Sequence, residues 1–453
     1  MIQDFGRAGP AQMLTGRGAL LLSRAQVPVS LLADGAPAGA PLAPDGTVSV
    51  DIRLTDGLVA AVQAPGATEG PACDLGGRQV WPMLIDMHAH LDKAHVLGRA
   101  PDSGGTHAGA REATTRDRLA HWTREDLMRR MDFALACAEG YGTAAIRTHL
   151  DSHEGQAETT WGAFDAMRAR WAGRVELQGV ALVPLDAYGT GHGARLADLV
   201  AANGGLLGGV TRVSGGTHGG GLDDIDALLD RLFALARERD LDVDLHVDEA
   251  AVASALPHVA RAVLRHGYEG RVTCGHCCSL ALLPEEEAAA VIALLAEAGV
   301  ALVTLPTVNM YLQDRTPGRT PRWRGVTPVQ ELRAAGVPVA VAGDNTRDPF
   351  HAYGDGDMLD TWRQAVRVLH LDHPFADAPA LAGAVPAAIT GFAAGTIRVG
   401  RPADLMIFEA WSLDQIIARP QSDRLLVRRG ALSAARPPSY AALAPHEEPA
   451  PVG

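Results

Sequence analysis

Residues 80–90 of the chain read Val-Trp-Pro-Met-Leu-Ile-Asp-Met-His-Ala-His, an apolar run that ends in two histidines. A run of this length and composition is typical of a buried β-strand. Side chains alternate along a strand, so the spacing of two residues puts His88 and His90 on the same side. In a (β/α)₈ barrel the reactive groups lie at the carboxyl ends of the strands. The segment therefore predicts a barrel strand that ends in two candidate metal ligands.

Further apolar runs follow, and they alternate with amphipathic segments of helical period, which predicts a parallel sheet with crossover helices. The strand candidates are residues 80–87, 144–149, 175–185, 206–213, 243–246, 271–274, 300–305 and 337–342. Helices are expected at residues 124–138, 223–239, 252–266, 285–298 and 328–335. Eight strands favour an α/β fold of the (β/α)₈ TIM barrel type over an open doubly wound sheet, which needs a nucleotide-type glycine-rich turn. The glycines at 215–216 and 219–221 have the wrong spacing for such a turn and are expected in a flexible loop over the barrel mouth.

The segments on either side of the barrel have the pattern of short β-hairpins. Residues 48–62 alternate around Asp56-Gly57, and residues 395–408 and 425–431 look similar. We expect these ends to pair into one small β-sandwich domain. The expected organisation is one half of the small domain at 1–79, the barrel at 80–390, the other half at 391–436 and a flexible tail at 437–453.

The composition restricts the partners. A formal net charge of −13 argues against a nucleic-acid or anionic-membrane surface and favours a small-molecule partner. Five cysteines are too few for a disulfide framework in 453 residues, and no apolar run approaches a membrane span. We expect a soluble, cytoplasmic protein, and the sequence leaves a homo-oligomer open.

Other strand ends carry further candidate ligands. The fifth strand ends in His246 with Glu249 three residues later, the sixth leads into His276, and the eighth is followed by Asp344. A lone buried histidine is more often a structural residue than a ligand, but all these groups fall at the same end of the expected barrel. Three histidines and one carboxylate suit Zn²⁺ or Fe²⁺ with an open position for water. Cys274 and Cys277 lack the second pair of a structural zinc site and are interpreted as packing.

Several motifs resemble those of a known family. Asp86-Met87-His88-Ala89-His90-Leu91-Asp92 resembles the first metal motif of amidohydrolases. Segments similar to those of cytosine deaminases follow in the same order at residues 147–151, 246–249, 309–313, 324–327 and 343–350, and residues 400–405 resemble the return strand of the superfamily's small β domain. Over residues 75–431 the chain thus resembles the cytosine deaminase branch of the amidohydrolase superfamily.

The resemblance implies a ligand set and roles. It implies one divalent metal, Zn²⁺ or Fe²⁺, bound by His88, His90, His246 and Asp344. Glu249 would shuttle protons to the ring, His276 would stabilise the attacking hydroxide or the developing charge, and Asp344 would take the water's proton. A bound divalent metal can lower the pKa of its water to about 7.

Two departures from the branch concern the substrate. Where cytosine deaminases have a glutamine that contacts the pyrimidine, this chain has Leu185, followed by Asp186. Where they have a threonine after the first metal motif, it has Lys93, its single lysine, as in N-isopropylammelide-type triazine hydrolases. Lys93 could bind an anionic or oxo-rich ring or be an ion-paired residue. Phe350 stands where the branch has a tryptophan, and Asn309 is a further candidate contact.

The expected activity is hydrolytic deamination of an aminated N-heterocycle: a cytosine-like pyrimidine, a triazine or a cyclic amidine. The alternative is hydrolysis of an N-alkylamino ring substituent or a cyclic amide by the same metal site. A third hypothesis is an inactive barrel that acts as a binding protein. It predicts the loss of a ligand or of the proton shuttle, and none of these residues is missing.

Overall fold

The computed structural model describes residues 13–66, 70–100, 103–216, 222–251, 255–419 and 424–443. Within these residues the chain has a mixed α/β fold. The strands in chain order are β1 (Ala19–Pro28), β2 (Thr47–Thr55), β3 (Leu58–Gln63), β4 (Ala72–Asp74), β5 (Val80–Pro82), β6 (Leu84–Ala89), β7 (Thr143–Asp151), β8 (Glu176–Leu182), β9 (Leu207–Val210), β10 (Val243–Val247), β11 (Val272–His276), β12 (Ala301–Thr304), β13 (Val339–Val341), β14 (Leu405–Phe408), β15 (Arg424–Arg428) and β16 (Ala431–Leu432).

Helices follow most of the central strands, as a parallel arrangement requires. They are α1 (His107–His121), α2 (Arg124–Tyr141), α3 (Ala157–Trp171), α4 (Gly191–Ala202), α5 (Ile225–Glu238), α6 (Leu256–His266), α7 (Glu285–Glu297), α8 (Pro306–Leu312), α9 (Val329–Ala334), α10 (Met358–Val368), α11 (Ala384–Thr390) and α12 (Leu413–Ala418). The five helices expected from the sequence are confirmed within a few residues at each end, although residues 252–254 of one of them lie outside the described part of the chain. Among the described helices, none has the length and apolar character needed to cross a membrane.

The central strands form two sheets. One has the order β6-β7-β8, and the other has the order β13-β12-β11-β10-β9, in which neighbouring strands are parallel. A parallel bridge from Val180 to Leu206 links β8 to the start of β9. A second parallel bridge, from Ala89 to Asp344, links the end of β6 to the residues that follow β13. Each of the eight runs predicted as a barrel strand contains an observed strand, and β10 is buried at all of its residues.

The prediction of one continuous strand over residues 80–87 is wrong. The run is divided at Met83 into β5, which pairs antiparallel with β14, and β6, which lies beside β7. Pro82 explains the division, because proline has no N–H to donate to a sheet ladder. A strand that reaches a proline can change its pairing partner there at little cost.

The chain divides into two compact units. The first contains Met1–Ile85, Ala138–Ala145 and Asp357–Pro437, and its two sheets have the orders β3-β2-β1-β4 and β16-β15-β14-β5. The expected hairpin at 48–62 is confirmed as β2 and β3. The hairpin expected at 395–408 is wrong, because that segment supplies only β14, which pairs with β5 and β15. One hydrophobic core contains side chains from both sheets, including Leu22, Ile52, Ile407 and Val427.

The second unit contains Asp86–Cys137, Ile146–Gly356 and Pro438–Gly453. Its described C-terminal residues include a short 3₁₀ turn, Tyr440–Ala442, and the buried Leu443. Residues 444–453 of the expected tail and residues 217–221 of the expected glycine-rich loop lie outside the described part of the chain.

Candidate active site

Nitrogen and oxygen atoms from three strands converge in the second unit. The Nε2 atom of His246 lies 3.2 Å from Nε2 of His88 and 3.2 Å from Nε2 of His90. The Oδ1 atom of Asp344 lies 3.2 Å from Nε2 of His90 and 3.7 Å from Nε2 of His88. All four side chains are buried. The four residues that the sequence predicts as metal ligands therefore point at one small volume.

The local backbone holds this group together through Asp86. Its carboxylate accepts hydrogen bonds from the backbone N–H of His88 at 3.3 Å and of Gly343 at 3.0 Å. A Cβ at Gly343 would lie 2.6 Å from Oδ2 of Asp86, so a side chain there would displace this carboxylate. The backbone N–H of Asp344 in turn donates to the carbonyl of His88 at 2.7 Å. Asp86 thus fixes the turn that carries Asp344 against the end of β6.

The donor set fits a divalent metal. Among the described residues, neither carboxylate oxygen of Asp344 has a hydrogen-bond partner, although both oxygens are buried. Burial, together with Glu249 and Asp348, raises the pKa of Asp344, and a cation at its oxygens would offset both effects. Burial lowers the pKa of His88 and His90, which favours the neutral imidazole that binds metals. Three imidazole nitrogens and a carboxylate are a ligand set for Zn²⁺ or a similar ion.

Glu249 and His276 lie beside the convergent donors. Glu249 follows β10 and is 6% exposed, and its Oε1 lies 3.5 Å from Nδ1 of His276. Its Oε2 lies 3.2 Å from Nε2 of His107. The side-chain amide of Asn309 lies 3.1 Å from Nδ1 of His276. In this orientation the amide nitrogen of Asn309 donates to Nδ1.

Lys93 is buried in an ion-paired cluster. Its Nζ lies 2.9 Å from Oδ1 of Asp151, 3.3 Å from Oδ1 of Asp92 and 3.2 Å from Nδ1 of His90. Burial alone would lower the pKa of Lys93, but Asp151 and Asp92 outweigh it and raise the pKa. Lys93 is therefore a charged group whose donors are largely directed at protein atoms.

A cavity of about 520 Å³ opens above these groups. Its lining includes His90, His246, Glu249, His276, Lys93 and Phe350. Leu185 and Asp186, which the sequence suggests as substrate contacts, are not among the lining residues. Leu185 is fully buried, and the carboxylate of Asp186 accepts hydrogen bonds from Ser214. Asn309 is not a lining residue either and contacts His276 instead.

Sequence reasoning missed several residues at this cavity. His107 and Arg111 come from α1, and Arg212 follows β9. The rule that reactive groups follow strand ends could have found Arg212, which lies two residues after β9, but nothing in that rule leads to a helix such as α1. His149 at the end of β7 was also missed, and its ring centroid lies 4.0 Å from that of His88.

The comparisons with known proteins agree with this geometry. Residues 220–434 match the profile described as "Amidohydrolase family". The chain is 46% identical over 402 residues to a pterin deaminase of Rhizobium rhizogenes, which covers 87% of this chain and 90% of that protein.

Two solved structures have the same fold. A 5-methylcytosine deaminase of Klebsiella pneumoniae, liganded with 5-fluorocytosine, superposes with a TM-score of 0.77 at 23% identity, covering 93% of this chain and 98% of that one. An N-isopropylammelide isopropylaminohydrolase of Burkholderia multivorans superposes with a TM-score of 0.68 at 27% identity, covering 92% and 98%. This chain belongs to the amidohydrolase family of enzymes.

Proposed function

We propose that the protein is a metal-dependent hydrolytic deaminase that replaces an exocyclic amine on a pyrimidine-type ring with oxygen. The observation that carries this proposal is the buried group of three histidine nitrogens and the Asp344 carboxylate, with Glu249 beside it and an open cavity above. We also propose that the eight strands β6–β13 form a closed (β/α)₈ barrel and that the two sheets of the first unit form a β-sandwich. The bridges from Val180 to Leu206 and from Ala89 to Asp344 support the closure.

In the proposed mechanism His88, His90, His246 and Asp344 would hold one divalent metal ion, Zn²⁺ or Fe²⁺. When bound, such a metal makes a water acidic enough to attack an electron-poor carbon at neutral pH. Asp344 Oδ2, which lies 4.0 Å from His276 Nδ1, would accept one proton of the attacking water. Glu249 would carry the other proton of that water to the ring nitrogen next to the reacting carbon, and the proton held by Asp344 would pass to the departing amine, which leaves as ammonia. His276, whose Nδ1 lies 3.5 Å from Oε1 of Glu249, would stabilise the oxygen on which negative charge develops.

We propose a pterin, or a fused-ring relative of it, as the substrate. The pterin deaminase that is 46% identical to this chain supports this choice. A pterin carries its exocyclic amine on a pyrimidine ring, flanked by ring nitrogens that Glu249 can protonate. The cavity of about 520 Å³ lies in the range of small-molecule sites and leaves room beyond a single six-membered ring.

Two arginines missed by the sequence reasoning line the cavity. The guanidinium of Arg111 lies 3.5 Å from Nδ1 of His107, and the guanidinium of Arg212 donates to the carbonyl of Val213 at 3.2 Å. Burial and then the neighbouring Arg111 lower the pKa of Arg212, so the two charges are close enough to repel each other. An acceptor-rich or negatively charged edge of the substrate would relieve this repulsion.

Arg212→Ala is therefore expected to raise KM roughly 10- to 100-fold for a ring that carries a carboxylate substituent, because a charge-assisted hydrogen bond is lost. The KM for the same ring without the carboxylate should rise much less, and kcat should change little in both cases. Steady-state kinetics on the two substrates would measure this difference. Arg231→Ala, an exposed arginine on α5 that does not line the cavity, is the matched control. Equal KM changes for both substrates would contradict the assignment.

The proposed function is tested by a panel of substrates. Metal-depleted protein is reloaded with Zn²⁺ or Fe²⁺ and assayed for ammonia release from pterins, cytosine, isocytosine, aminotriazines and N-alkyl analogues. We expect the fastest ammonia release from a pterin. Release of an alkylamine without ammonia would instead support hydrolysis of N-alkylamino substituents, the alternative to which the N-isopropylammelide hydrolase points. Absence of both ammonia and alkylamine release with either metal would overturn the deaminase proposal.

A further inference from the structure

We propose that His95, Cys137 and Asp355 form a second metal site, one that takes a thiophilic divalent ion such as Zn²⁺. The three residues come from the turn after β6, from α2 and from the segment before α10, and all belong to the second unit. Their donor atoms lie within 4.8 Å of one another. None of the three is shared with the groups of donors that contain His88.

The state of His95 points to a missing ligand. The residue is 3% exposed, and among the described residues neither of its ring nitrogens has a hydrogen-bond partner. Phe133 packs against the ring at a centroid distance of 4.8 Å and offers no nitrogen or oxygen atom. Buried polar side-chain atoms almost always have a partner, and a neutral imidazole has one donor and one acceptor to satisfy. A metal ion bound to one ring nitrogen would satisfy the acceptor.

The chemistry of the donors selects the ion. An imidazole, a thiolate and a carboxylate are together a set for Zn²⁺, whereas Mg²⁺ and Ca²⁺ prefer oxygen donors alone. Burial, followed by the charges of Arg347 and Arg130, lowers the pKa of His95, so the imidazole is neutral as ligation requires. Zn²⁺ takes four ligands in such sites, so a small molecule such as water would supply the fourth.

Cys137 changes its protonation when the ion binds. Burial and the neighbouring Asp355 raise the pKa of its thiol, which therefore keeps its proton without an ion. On binding, the S–H bond breaks, the proton passes to solvent and a sulfur–metal bond forms. The thiolate and the Asp355 carboxylate then balance the two charges of the ion. The hydroxyl of Tyr440 donates to Oδ1 of Asp355 at 2.9 Å and orients the carboxylate.

Cobalt provides a direct test, because a thiolate–Co²⁺ bond absorbs in the near ultraviolet and the donors around His88 are nitrogen and oxygen atoms. Metal-depleted full-length protein is titrated with Co²⁺ alone, and both the absorption and the number of bound ions are measured. We expect the thiolate band in the unaltered protein and one bound ion fewer, without the band, in Cys137→Ser. Cys73→Ser, which alters a buried cysteine of the first unit, should behave like the unaltered protein.

A second variant keeps the test decisive if Cys137→Ser does not fold. Asp355→Asn leaves both the imidazole and the thiol in place, and we expect it to weaken the Co²⁺ affinity that the band reports by at least about 10-fold. Absence of the band in the unaltered protein would overturn the proposal, as would a band of full intensity in folded Cys137→Ser. The test measures absorption and not turnover. If the second metal site is disproved, the proposed deaminase activity is therefore unaffected.

Discussion

Glu249→Gln is expected to lower kcat by about 10²- to 10⁴-fold, the usual contribution of a positioned general acid–base group, while the metal remains bound. Glutamine has the shape of glutamate and can keep a contact with His107, which lies 3.2 Å from Oε2. It cannot carry a proton from the water to the ring nitrogen. The loss should therefore appear in kcat, with KM changed much less.

Steady-state kinetics and elemental analysis on the same preparation check this prediction. Glu112→Gln is the matched control, because Glu112 also lines the cavity but is exposed and lies 3.8 Å from Arg116. That control should keep nearly full activity. A Glu249→Gln enzyme with undiminished kcat would remove Glu249 from the mechanism, and one that has lost its metal would make Glu249 a supporting residue of the metal site.

His246→Ala is expected to abolish turnover by a different route, through loss of the metal. The Nε2 atom of His246 lies 3.2 Å from the corresponding atoms of both His88 and His90, so this side chain is central to the donor set. Residues that only support a metal ligand change affinity by about 10- to 100-fold, and removal of a ligand should exceed that. Elemental analysis should find the ion strongly depleted after dialysis, and excess Zn²⁺ or Fe²⁺ should restore only part of the activity.

The control for His246→Ala is His258→Ala. His258 lies on α6 in an ion pair with Asp226 at 3.1 Å and does not line the cavity. Full metal content in folded His246→Ala would exclude His246 as a ligand and would shift attention to His149, whose ring lies next to that of His88.

The positions of the central strands along the chain could be predicted because each is a short apolar run bounded by helical segments. The division of the first run at Met83 could not, because it depends on the pairing of β5 with β14, more than 300 residues away. Local sequence carries the tendency to form a strand but not the choice of partner. For the same reason the segment 395–408 looked like a hairpin, whereas its only strand pairs with β5 and β15.

The candidate site followed from one rule, that reactive groups cluster at the carboxyl ends of parallel strands. This rule led to His88, His90, His246, His276 and Asp344, which the structure brings together, while their roles as ligands and catalysts stay predictions. The cavity wall could not be found in this way, because Arg111 lies on a helix and reaches the cavity only through tertiary packing. Leu185 and Asp186 are candidate substrate contacts only because they stand where cytosine deaminases have a glutamine. A match in sequence position does not tell whether a side chain faces the cavity.

Because β5 pairs with β14, the first unit cannot be completed until the C-terminal part of the chain has been synthesised. Leu22 and Ile52 are synthesised early, but Ile407 and Val427, with which they share a core, leave the ribosome near the end. At a synthesis rate of about 5–20 residues per second, the strands β14 and β15 follow the sheet β3-β2-β1-β4 after an interval on the order of tens of seconds. Throughout that interval an apolar sheet face is available to other nascent chains, and β3 and β4 lie at the edges of that sheet. The yield of folded protein should therefore depend on chaperones that act during translation.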